Sequence, residues 1–470
     1  MKKTAKFSLA LVLILLLVVP ARAQESSPVL PVYVVQPGDT LWNIARELFV
    51  PYREFLSLND LTEESTVVPG DRLLIPGLEG VEGVVATIDL AYGESLSSLS
   101  RRYQVPEDLL IRLNRLTSPL ELYSGVSVVL VRGEESELAS EAGERIALRS
   151  GQTPLEAAVE HDLNPWRLPA ANQVTGKQRL VPGDVYLVPG SSGDGPGALP
   201  GVVRSVDMTP ERFRQGKTVV IKLGLEPDAA LKEIKGHLGE YELHFFPSGD
   251  EMYVSLQGIH AQAEVGLEPL SLQGTLPDGT NFAHQQMVRV YSGNYPFEQI
   301  SGVPMETVGR ELTANEEETL TAIASPTTAR KFWQGQFGSP VPEVFSNSWL
   351  SLFGNRRSFN GSGYFYFHSG LDFPSGLGGD IYAPAPGRVV YTGRETIHGK
   401  TTMIDHGWGI YTLYAHQSQI LVEEGQRVKK GALIGEVGST GRSSGPHLHW
   451  EVWVGGVQVD PMDWLERSYP

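Results

Sequence analysis

Residues 445–454 read GPHLHWEVWV, and this stretch is the most informative one about the C-terminal region. The alternation of polar and apolar residues predicts a β-strand. His447, His449 and Glu451 then lie on one face of the strand, and Leu448 and Trp450 on the other. The imidazoles of His447 and His449 therefore point to the same side of the strand. Glu451 either orients a histidine of this face or is a solvated carboxylate at the strand end, and both interpretations stay open.

The sequence HSGLD places a histidine and a carboxylate four residues apart, at His368 and Asp372. A straight strand would hold them about 13 Å apart, so they share an ion only if the chain bends between them. Ser369 and Gly370 supply a turn, and the glycines that follow argue against a helix. We therefore expect a bent segment that brings His368 close to Asp372.

Six of the eleven histidines fall between His368 and His449, and the chain has no cysteine. Imidazole is then the only soft zinc ligand available. Two imidazoles and one carboxylate leave the fourth position of zinc open to water, which is typical of a catalytic site. With His416 in LYAHQS, the region offers enough groups for a metal site and for proton transfer beside it.

Residues 346–464 resemble the lysostaphin and LytM-type zinc endopeptidases of bacterial cell walls. The resemblance runs through LFGNRRSFNG, HSGLDFPSG, GSTGRSSGPHLHWE and the closing VDPMDWL, as well as through the histidine motifs. It implies an antiparallel β peptidase domain that holds one zinc ion per chain.

The resemblance also implies a role for each of the five site residues. The metal ligands would be His368, Asp372 and His449, and the catalytic residues His416 and His447. Zinc lowers the pKa of bound water from about 15.7 towards 7 and polarises a carbonyl. We expect His447 to act as the base and His416 to stabilise developing charge, and the reverse order stays open.

The N-terminus has the composition of a signal peptide, residues 1–23. Three lysines precede an apolar run that ends before Ala21-Arg22-Ala23, and the run is short for a membrane span. We therefore expect an exported protein, in the periplasm or the extracellular cell wall, without stable membrane insertion after cleavage. The formal net charge of −17 disfavours nucleic acid as a partner.

An internal repeat organises the N-terminal part of the chain. Three glycines are each followed after 21 residues by an asparagine and after 11 more by a second glycine. These anchors are Gly38, Asn59 and Gly70, then Gly93, Asn114 and Gly125, then Gly151, Asn172 and Gly183. Each unit shows a strand, two helical patterns and a strand, which predicts three βααβ modules.

The repeats resemble LysM domains, which bind glycans that contain N-acetylglucosamine. The match is close in residues 32–76, through QPGDTLWNIA and VVPGDRLLIP, and weaker in residues 87–131 and 144–189. The resemblance implies glycan contacts at Gly38, Asp39 and Thr40. Alternatively, these residues only cap a helix and build a turn. Three weak sites in tandem can still raise the affinity for a polymer.

Three further segments connect the repeats to the peptidase region. Residues 190–200, GSSGDGPGALP, have the composition of a linker. Alternating strands and turn signals in residues 201–298 predict an immunoglobulin-like β-sandwich. Residues 299–345 form a connector, which we expect to be partly helical. From its position we hypothesise that it packs across the catalytic groove.

The sequence as a whole predicts a multidomain, mainly β protein with small α+β repeats. We expect a zinc metalloendopeptidase that hydrolyses peptide cross-links of peptidoglycan and binds the glycan strands through its LysM repeats. The alternative is a catalytically silent scaffold that binds the wall and activates other hydrolases. The chain keeps every metal ligand that the resemblance implies, and this favours the enzyme over the silent scaffold.

Overall fold

The computed structural model describes residues 29–133, 143–148, 152–172, 174, 185–190 and 197–470. The predicted signal peptide, most of the predicted linker, and the repeat anchors Gly151 and Gly183 lie outside the described residues.

The first two repeats share one four-stranded sheet with the strand order β2-β1-β3-β4, in which β1 and β3 run parallel. The elements of the first repeat are β1 (Val32–Val34), α1 (Leu41–Glu47), α2 (Tyr52–Leu58) and β2 (Arg72–Leu74). Those of the second are β3 (Val84–Asp89), α3 (Leu96–Tyr103), α4 (Glu107–Asn114) and β4 (Ser127–Arg132). In the third repeat the described elements are β5 (Gly143–Ala147), α5 (Pro154–Glu160), α6 (Arg167–Ala171) and β6 (Val185–Pro189).

One asparagine has the same structural role in all three repeats. Asn59, Asn114 and Asn172 each donate from Nδ2 to the carbonyl four residues earlier and to the carbonyl of a strand residue 15 positions on. Their Oδ1 atoms accept from the amide of that strand residue at 2.6–2.7 Å. The asparagine therefore ties the second helix of each unit to its last strand, which explains its fixed spacing in the sequence.

Two sheets follow the repeats and enclose one apolar core; their strands pair antiparallel except for β8, which pairs in parallel with β15. Their strand orders are β11-β10-β14-β15-β8 and β12-β13-β9-β7. The strands are β7 (Val203–Thr209), β8 (Phe213–Arg214), β9 (Thr218–Leu225), β10 (Glu233–Leu238), β11 (Tyr241–Leu243), β12 (Phe246–Pro247), β13 (Met252–Gly258), β14 (Gly266–Thr275) and β15 (Asn281–Tyr291). Buried Leu223 of one sheet and Leu270 of the other belong to this core.

The connector packs against the C-terminal region. Its strand β16 (Phe297–Ile300) pairs in parallel with β17 (Arg356–Phe359), which pairs with β18 (Tyr366–Phe367). Its helix α7 (Arg310–Ala324) is the longest helix in the described part of the chain.

The C-terminal region contains a sheet with the strand order β19-β27-β23-β22-β21-β25, with β28 paired to β27. Its strands are β19 (Leu371–Phe373), β21 (Gly387–Arg394), β22 (Lys400–Gly407), β23 (Ile410–Gln417), β25 (Arg427–Val428), β27 (Leu448–Val454) and β28 (Val457–Val459). A second sheet contains β20 (Asp380–Tyr382), β24 (Gln419–Ile420) and β26 (Leu433–Glu436), and the chain ends in α8 (Pro461–Glu466). Trp450 and Val452 of β27 are fully buried in the main core.

The opposite face of this sheet carries the polar site, and we call it the catalytic face. His449, Glu451 and Trp453 of β27 lie opposite Ala415, Leu413 and Tyr411 of β23. Helix α7 packs on this face, because its Leu320 and Ala324 share an apolar cluster with Leu413 and Trp453. In the part of the chain that the structure describes, no helix combines the length and apolar character needed to cross a bilayer.

Candidate metal centre

Strand pairing places a histidine and an aspartate side by side. Asp372 of β19 and His449 of β27 are direct partners in the antiparallel register. The chain bends before β19, as the sequence predicts, and this bend returns His368 to the same point. Gly370 lies in the bend, where a Cβ atom would stand 2.2 Å from the carbonyl oxygen of Trp450. Only glycine lets the bend approach β27 so closely.

Three potential ligand atoms converge at this point. His368 Nε2 lies 2.9 Å from Asp372 Oδ1 and 3.1 Å from His449 Nδ1, and the latter two atoms are 2.9 Å apart. All three side chains are buried, with 1–6% of their surface exposed. The structure thus brings together the three residues proposed as metal ligands, although they are up to 81 positions apart in the sequence.

Each of these three groups has a partner on the side away from the point of convergence. His368 Nδ1 donates to the carbonyl of Leu352 at 2.7 Å, and His449 Nε2 donates to Glu451 Oε1 at 2.9 Å. Because these ring nitrogens carry the protons, His368 Nε2 and His449 Nδ1 can present lone pairs. Partners of this kind orient the ligands in metal sites.

The third group, Asp372, is held in the same way. Its Oδ2 accepts from Arg357 Nη2 at 3.0 Å, which leaves Oδ1 facing the two histidines. Burial alone would raise the pKa of Asp372, but His368, His449 and Arg357 hold it well below its usual range. Burial lowers the pKa of His368 to about 4. Both groups are therefore in the charge states that bind a cation at neutral pH.

The donor set fits a zinc ion. Two imidazole nitrogens and one carboxylate oxygen are zinc ligands of known catalytic sites, and tetrahedral bonds of 2.0–2.1 Å separate ligand atoms by about 3.3 Å. The observed separations of 2.9–3.1 Å are close to that spacing. His368, Asp372 and His449 would hold the ion.

The two histidines proposed as catalytic stand beside this set. The imidazoles of His416 and His447 have centroids 4.8 Å apart, and that of His416 is 5.8 Å from that of His449. His447 Nε2 lies 3.6 Å from Asp372 Oδ1. In both rings Nδ1 donates to a carbonyl, of Thr440 at 2.7 Å and of Gly445 at 2.8 Å. Both Nε2 atoms are therefore acceptors when the rings are neutral.

His416 has an unusual backbone conformation. Its φ of 60° lies in the left-handed region, which few residues other than glycine adopt. The amide of His416 donates to the carbonyl of His398 at 2.7 Å, which fixes this conformation. Burial lowers the pKa of the His416 imidazole well below its usual range, and nearby His447 acts in the same direction. His416 is therefore neutral at physiological pH.

Sequence reasoning missed the contribution of His398. The motifs do not include His398, whereas the structure buries its ring beside the site, where it bonds two carboxylates, Glu316 of α7 at 2.6 Å and Glu451 at 3.2 Å. Burial would lower its pKa, but the bonds to these carboxylates raise it to about 9. No spacing in the sequence links His398 to the metal motifs, since the contacts form only through the fold.

The structure decides between the two interpretations of Glu451. The residue is fully buried, and its Oε1 accepts from His449 and from the hydroxyl of Ser369. Its Oε2 accepts from Trp453 Nε1 at 2.7 Å. Glu451 is therefore an orienting partner of His449 rather than a solvated strand-end carboxylate.

A narrow groove leads to the centre. A cavity of about 40 Å³ is lined by the proposed ligands His368 and His449 and by Phe359, Ile397 and Arg442 among others. A volume of this size holds one or a few water molecules. The guanidinium of Arg442 lies over the rings of Phe359 and Tyr366, 4.3 and 5.2 Å from their centroids.

The predicted glycan loop of the first repeat is accessible. Gly38 and Thr40 are exposed, and Asp39 is partly exposed. These residues also build the local structure, as the alternative interpretation holds. Gly38 turns with a φ of 92°, the Asp39 carboxylate accepts from the Tyr33 hydroxyl, and Thr40 caps α1 by accepting from the amide of Asn43.

The equivalent loop of the second repeat is covered by Leu199 and by strand β15. Gly93 and Glu94 are buried, and the Gly93 amide donates to Gln286 Oε1 at 2.7 Å. A Cβ atom on Gly93 would stand 2.4 Å from the side chain of Leu199. The two loops share a sequence pattern but differ in accessibility.

Sequence comparisons identify two kinds of domain. Residues 366–461 match the profile of Peptidase family M23, and residues 33–76 and 91–130 match the LysM domain. The chain therefore carries LysM domains and a C-terminal peptidase domain of family M23, whose members are zinc metallopeptidases.

Individual relatives match parts of the chain. It is 44% identical over 95 residues to the DD-carboxypeptidase/endopeptidase Mpg of Neisseria meningitidis, covering 20% of the chain and 22% of that protein. It is 34% identical over 171 residues to the peptidoglycan DD-endopeptidase ShyA of Vibrio cholerae, covering 33% of the chain and 40% of that protein. The chain thus spans well under two thirds of the length of these relatives. A solved zinc-containing peptidase from Vibrio cholerae aligns over 92% of the chain and 98% of its own, with 16% identity and a TM-score of 0.27.

Proposed function

We propose that this protein is an exported zinc endopeptidase that hydrolyses peptide cross-links of bacterial peptidoglycan. The observation that carries the proposal is the convergence of His368 Nε2, Asp372 Oδ1 and His449 Nδ1, with the other polar atom of each group engaged elsewhere. The substrate class follows from the names of relatives, which are DD-endopeptidases of peptidoglycan. The site of action is then the periplasm or the extracellular cell wall.

One zinc ion per chain, when bound, would polarise the scissile carbonyl and lower the pKa of a water molecule towards 7. The remaining steps are proton transfers by the chain itself. His447 Nε2 is an acceptor close to Asp372, and it can take the proton of the attacking water. The resulting imidazolium then gives this proton to the leaving amine. We therefore keep His447 as the base.

The role proposed for His416 changes in one respect. A neutral His416 whose Nδ1 donates to Thr440 has no N–H left for an oxyanion. Its Nε2 can instead accept a hydrogen bond from the attacking water and orient it. Its lowered pKa keeps His416 a neutral acceptor through the reaction.

We further propose that the first LysM domain holds the enzyme on glycan strands. The loop at Gly38, Asp39 and Thr40 is open to a polymer, and the covered loop of the second repeat is not. A bound glycan would raise the local concentration of cross-links around the peptidase domain.

Digestion of purified peptidoglycan tests the proposal. The zinc-loaded full chain should release peptides whose masses correspond to cleaved cross-links, and the His447→Ala variant should not. If zinc binds but mass spectrometry finds every cross-link intact, the alternative of a catalytically silent scaffold is favoured.

A further inference from the structure

Helix α7 lies on the catalytic face and places a carboxylate at the rim of the metal centre. Glu316 has 6% of its surface exposed, although it is ionisable. Its Oε2 accepts from the amide of Ile397 at 2.8 Å. Its Oε1 accepts from the amide of His398 at 2.9 Å and from His398 Nδ1 at 2.6 Å. We call these three donors the carboxylate cradle.

The cradle is tied to the catalytic histidines. The carbonyl of His398 accepts from the amide of His416, and the carbonyl of Ile397 accepts from the amide of Arg442, both at 2.7 Å. On its other side the His398 ring contacts Glu451, the partner of the ligand His449. Only the side chain of Glu451 thus separates the cradle residue His398 from the proposed ligand His449. The hydrogen bonds that hold the catalytic histidines also fix the position of the cradle.

An arginine next to the cradle lacks an anionic partner. Among the described residues, no carboxylate lies within salt-bridge distance of the Arg442 guanidinium, whose only side-chain hydrogen bond goes to Thr313 Oγ1 of α7 at 3.1 Å. The group is largely enclosed between α7 and the rings of Phe359 and Tyr366. Guanidinium and paired amide donors are the groups that proteins use to bind carboxylates.

Building on the proposed function, we infer that Ile397, His398 and Arg442 form a subsite for a carboxylate of the peptide substrate. Glu316 occupies this subsite from within the chain and holds α7 on the groove. A peptide with a free carboxylate near its scissile bond presents the same group as Glu316. The adjoining cavity of about 90 Å³ is lined by Thr313 and Glu317 of α7 together with Ile397, His398 and Arg442. Helix α7 therefore limits the space for a peptide at this subsite.

This arrangement makes Glu316 a competitor of the substrate. The apparent affinity of a substrate falls by the fraction of molecules in which the subsite is free. Removal of the Glu316 carboxylate should therefore raise kcat/KM by about 5- to 150-fold, the usual range for coupling between two binding events. The gain should require a carboxylate on the substrate.

The test compares Glu316→Ala with Glu318→Ala in the zinc-loaded full chain. Glu318 is an exposed residue of the same helix and serves as the matched control. The substrates are a cross-linked peptidoglycan peptide with free carboxylates and the same peptide after amidation. We expect Glu316→Ala to accelerate cleavage of the free acid and to have a smaller effect on the amide, with Glu318→Ala like wild type.

Two results would overturn the inference. Equal rates for a folded Glu316→Ala variant and the control would show that Glu316 does not hold the groove closed. Equal gains on acid and amide would show that the cradle does not recognise a carboxylate. If Glu316→Ala unfolds, Glu316→Gln preserves the volume of the side chain and removes its charge.

A binding measurement makes the inference independent of turnover. Acetyl-D-alanyl-D-alanine should shift the amide resonances of Ile397 and His398 in the Glu316→Ala variant more than its carboxamide does. Absence of cleavage by every variant would count against the proposed function, whereas absence of this difference in binding would count against the subsite.

Discussion

At the residue scale, each proposed metal ligand is positioned by a second side chain or carbonyl. Glu451 fixes His449, Arg357 fixes Asp372, and the carbonyl of Leu352 fixes His368. Such partners set the tautomer of a histidine and the orientation of a carboxylate. Substitution of a metal ligand should therefore remove the metal, whereas substitution of a residue that acts beside the metal should leave it bound.

Substitution of individual histidines tests this distinction. We expect His449→Ala to lose both zinc and activity, because it removes a ligand. His447→Ala should keep zinc and lose about 10²- to 10⁴-fold in turnover, the usual contribution of an acid–base group. Metal analysis and peptide hydrolysis give the two readouts, with His237→Ala, an exposed position in β10, as control. Loss of zinc in His447→Ala would show that the assigned roles are wrong.

Arg357 offers a second test at this scale. Arg357→Ala removes the partner of Asp372 Oδ2 and frees the carboxylate to rotate. We expect zinc affinity to fall by about 10- to 100-fold, as for other partners of metal ligands. Competition with a chromogenic chelator measures this change, and the neighbouring Arg356→Ala is the control. An unchanged affinity would contradict the positioning role.

The sequence was sufficient for part of this site and insufficient for the rest. Strand alternation predicts that His449 and Glu451 share a face, and the turn residues predict the bend between His368 and Asp372. Glu316 and His398 reach the site from segments without a recognisable motif, and they are 82 positions apart. Arg357 lies in the LFGNRRSFNG stretch of the resemblance, but the sequence does not reveal its contact with Asp372. Such contacts depend on the packing of α7 and on sheet register, which local patterns do not encode.

At the element scale, α7 and the two LysM loops decide what can reach the sites. The connector was hypothesised to pack across the groove, and α7 does lie on the catalytic face. The first two units share a repeat pattern, yet the loop of the first is open and the loop of the second is covered. Accessibility depends on the neighbouring sheets, so the repeat sequence alone does not reveal it.

The two loops provide a matched pair of substitutions. Thr40 and Ser95 occupy the same position in their repeats and cap α1 and α3 through their side chains. Thr40→Ala and Ser95→Ala should each cost about 0.5–2 kcal/mol in stability. Only Thr40→Ala should weaken binding of a chitin oligosaccharide, measured by calorimetry. Equal weakening by both substitutions would contradict the assignment of the first loop as the glycan site.

The contact between Glu316 and His398 predicts a pH-dependent stability. Burial opposes the charge of Glu316, but bonds from His398 and the Ile397 amide lower its pKa below the ordinary 4.5. The stabilisation of the fold by the Glu316 carboxylate is therefore present above pH 4.5 and lost as the pH falls. The pKa of His398 is raised from 6.5 to about 9, so its contribution is present below pH 6.5 and lost as pH rises through about 9.

The free energy of unfolding of the wild type should therefore exceed that of Glu316→Gln, and the difference should be largest between pH 4.5 and 6.5. Urea unfolding at several pH values measures this difference, with Glu318→Gln as control. A difference that stays constant from acid to alkaline pH would contradict an ionic contact.

At the scale of the whole molecule, the two sheets of β7 to β15 link the repeats to the peptidase domain. They cover the loop of the second repeat on one side. On the other side Lys217 bonds Asp460 and Asp463 at 2.9 and 3.1 Å, and Phe246 stacks on Trp408 at 4.9 Å. The linker and sandwich patterns in the sequence predict separate modules but not these contacts. The open loop of the first repeat and the proposed metal centre are therefore held on one connected framework.

The central claim is that one ion held by His368, Asp372 and His449 supports peptide hydrolysis. Titration of the metal-free chain with zinc tests it most directly, with hydrolysis of a peptidoglycan cross-link followed at each addition. Activity should rise linearly and reach its plateau at one zinc per chain. Full activity without added metal, or a plateau unaffected by the loss of His449, would contradict it.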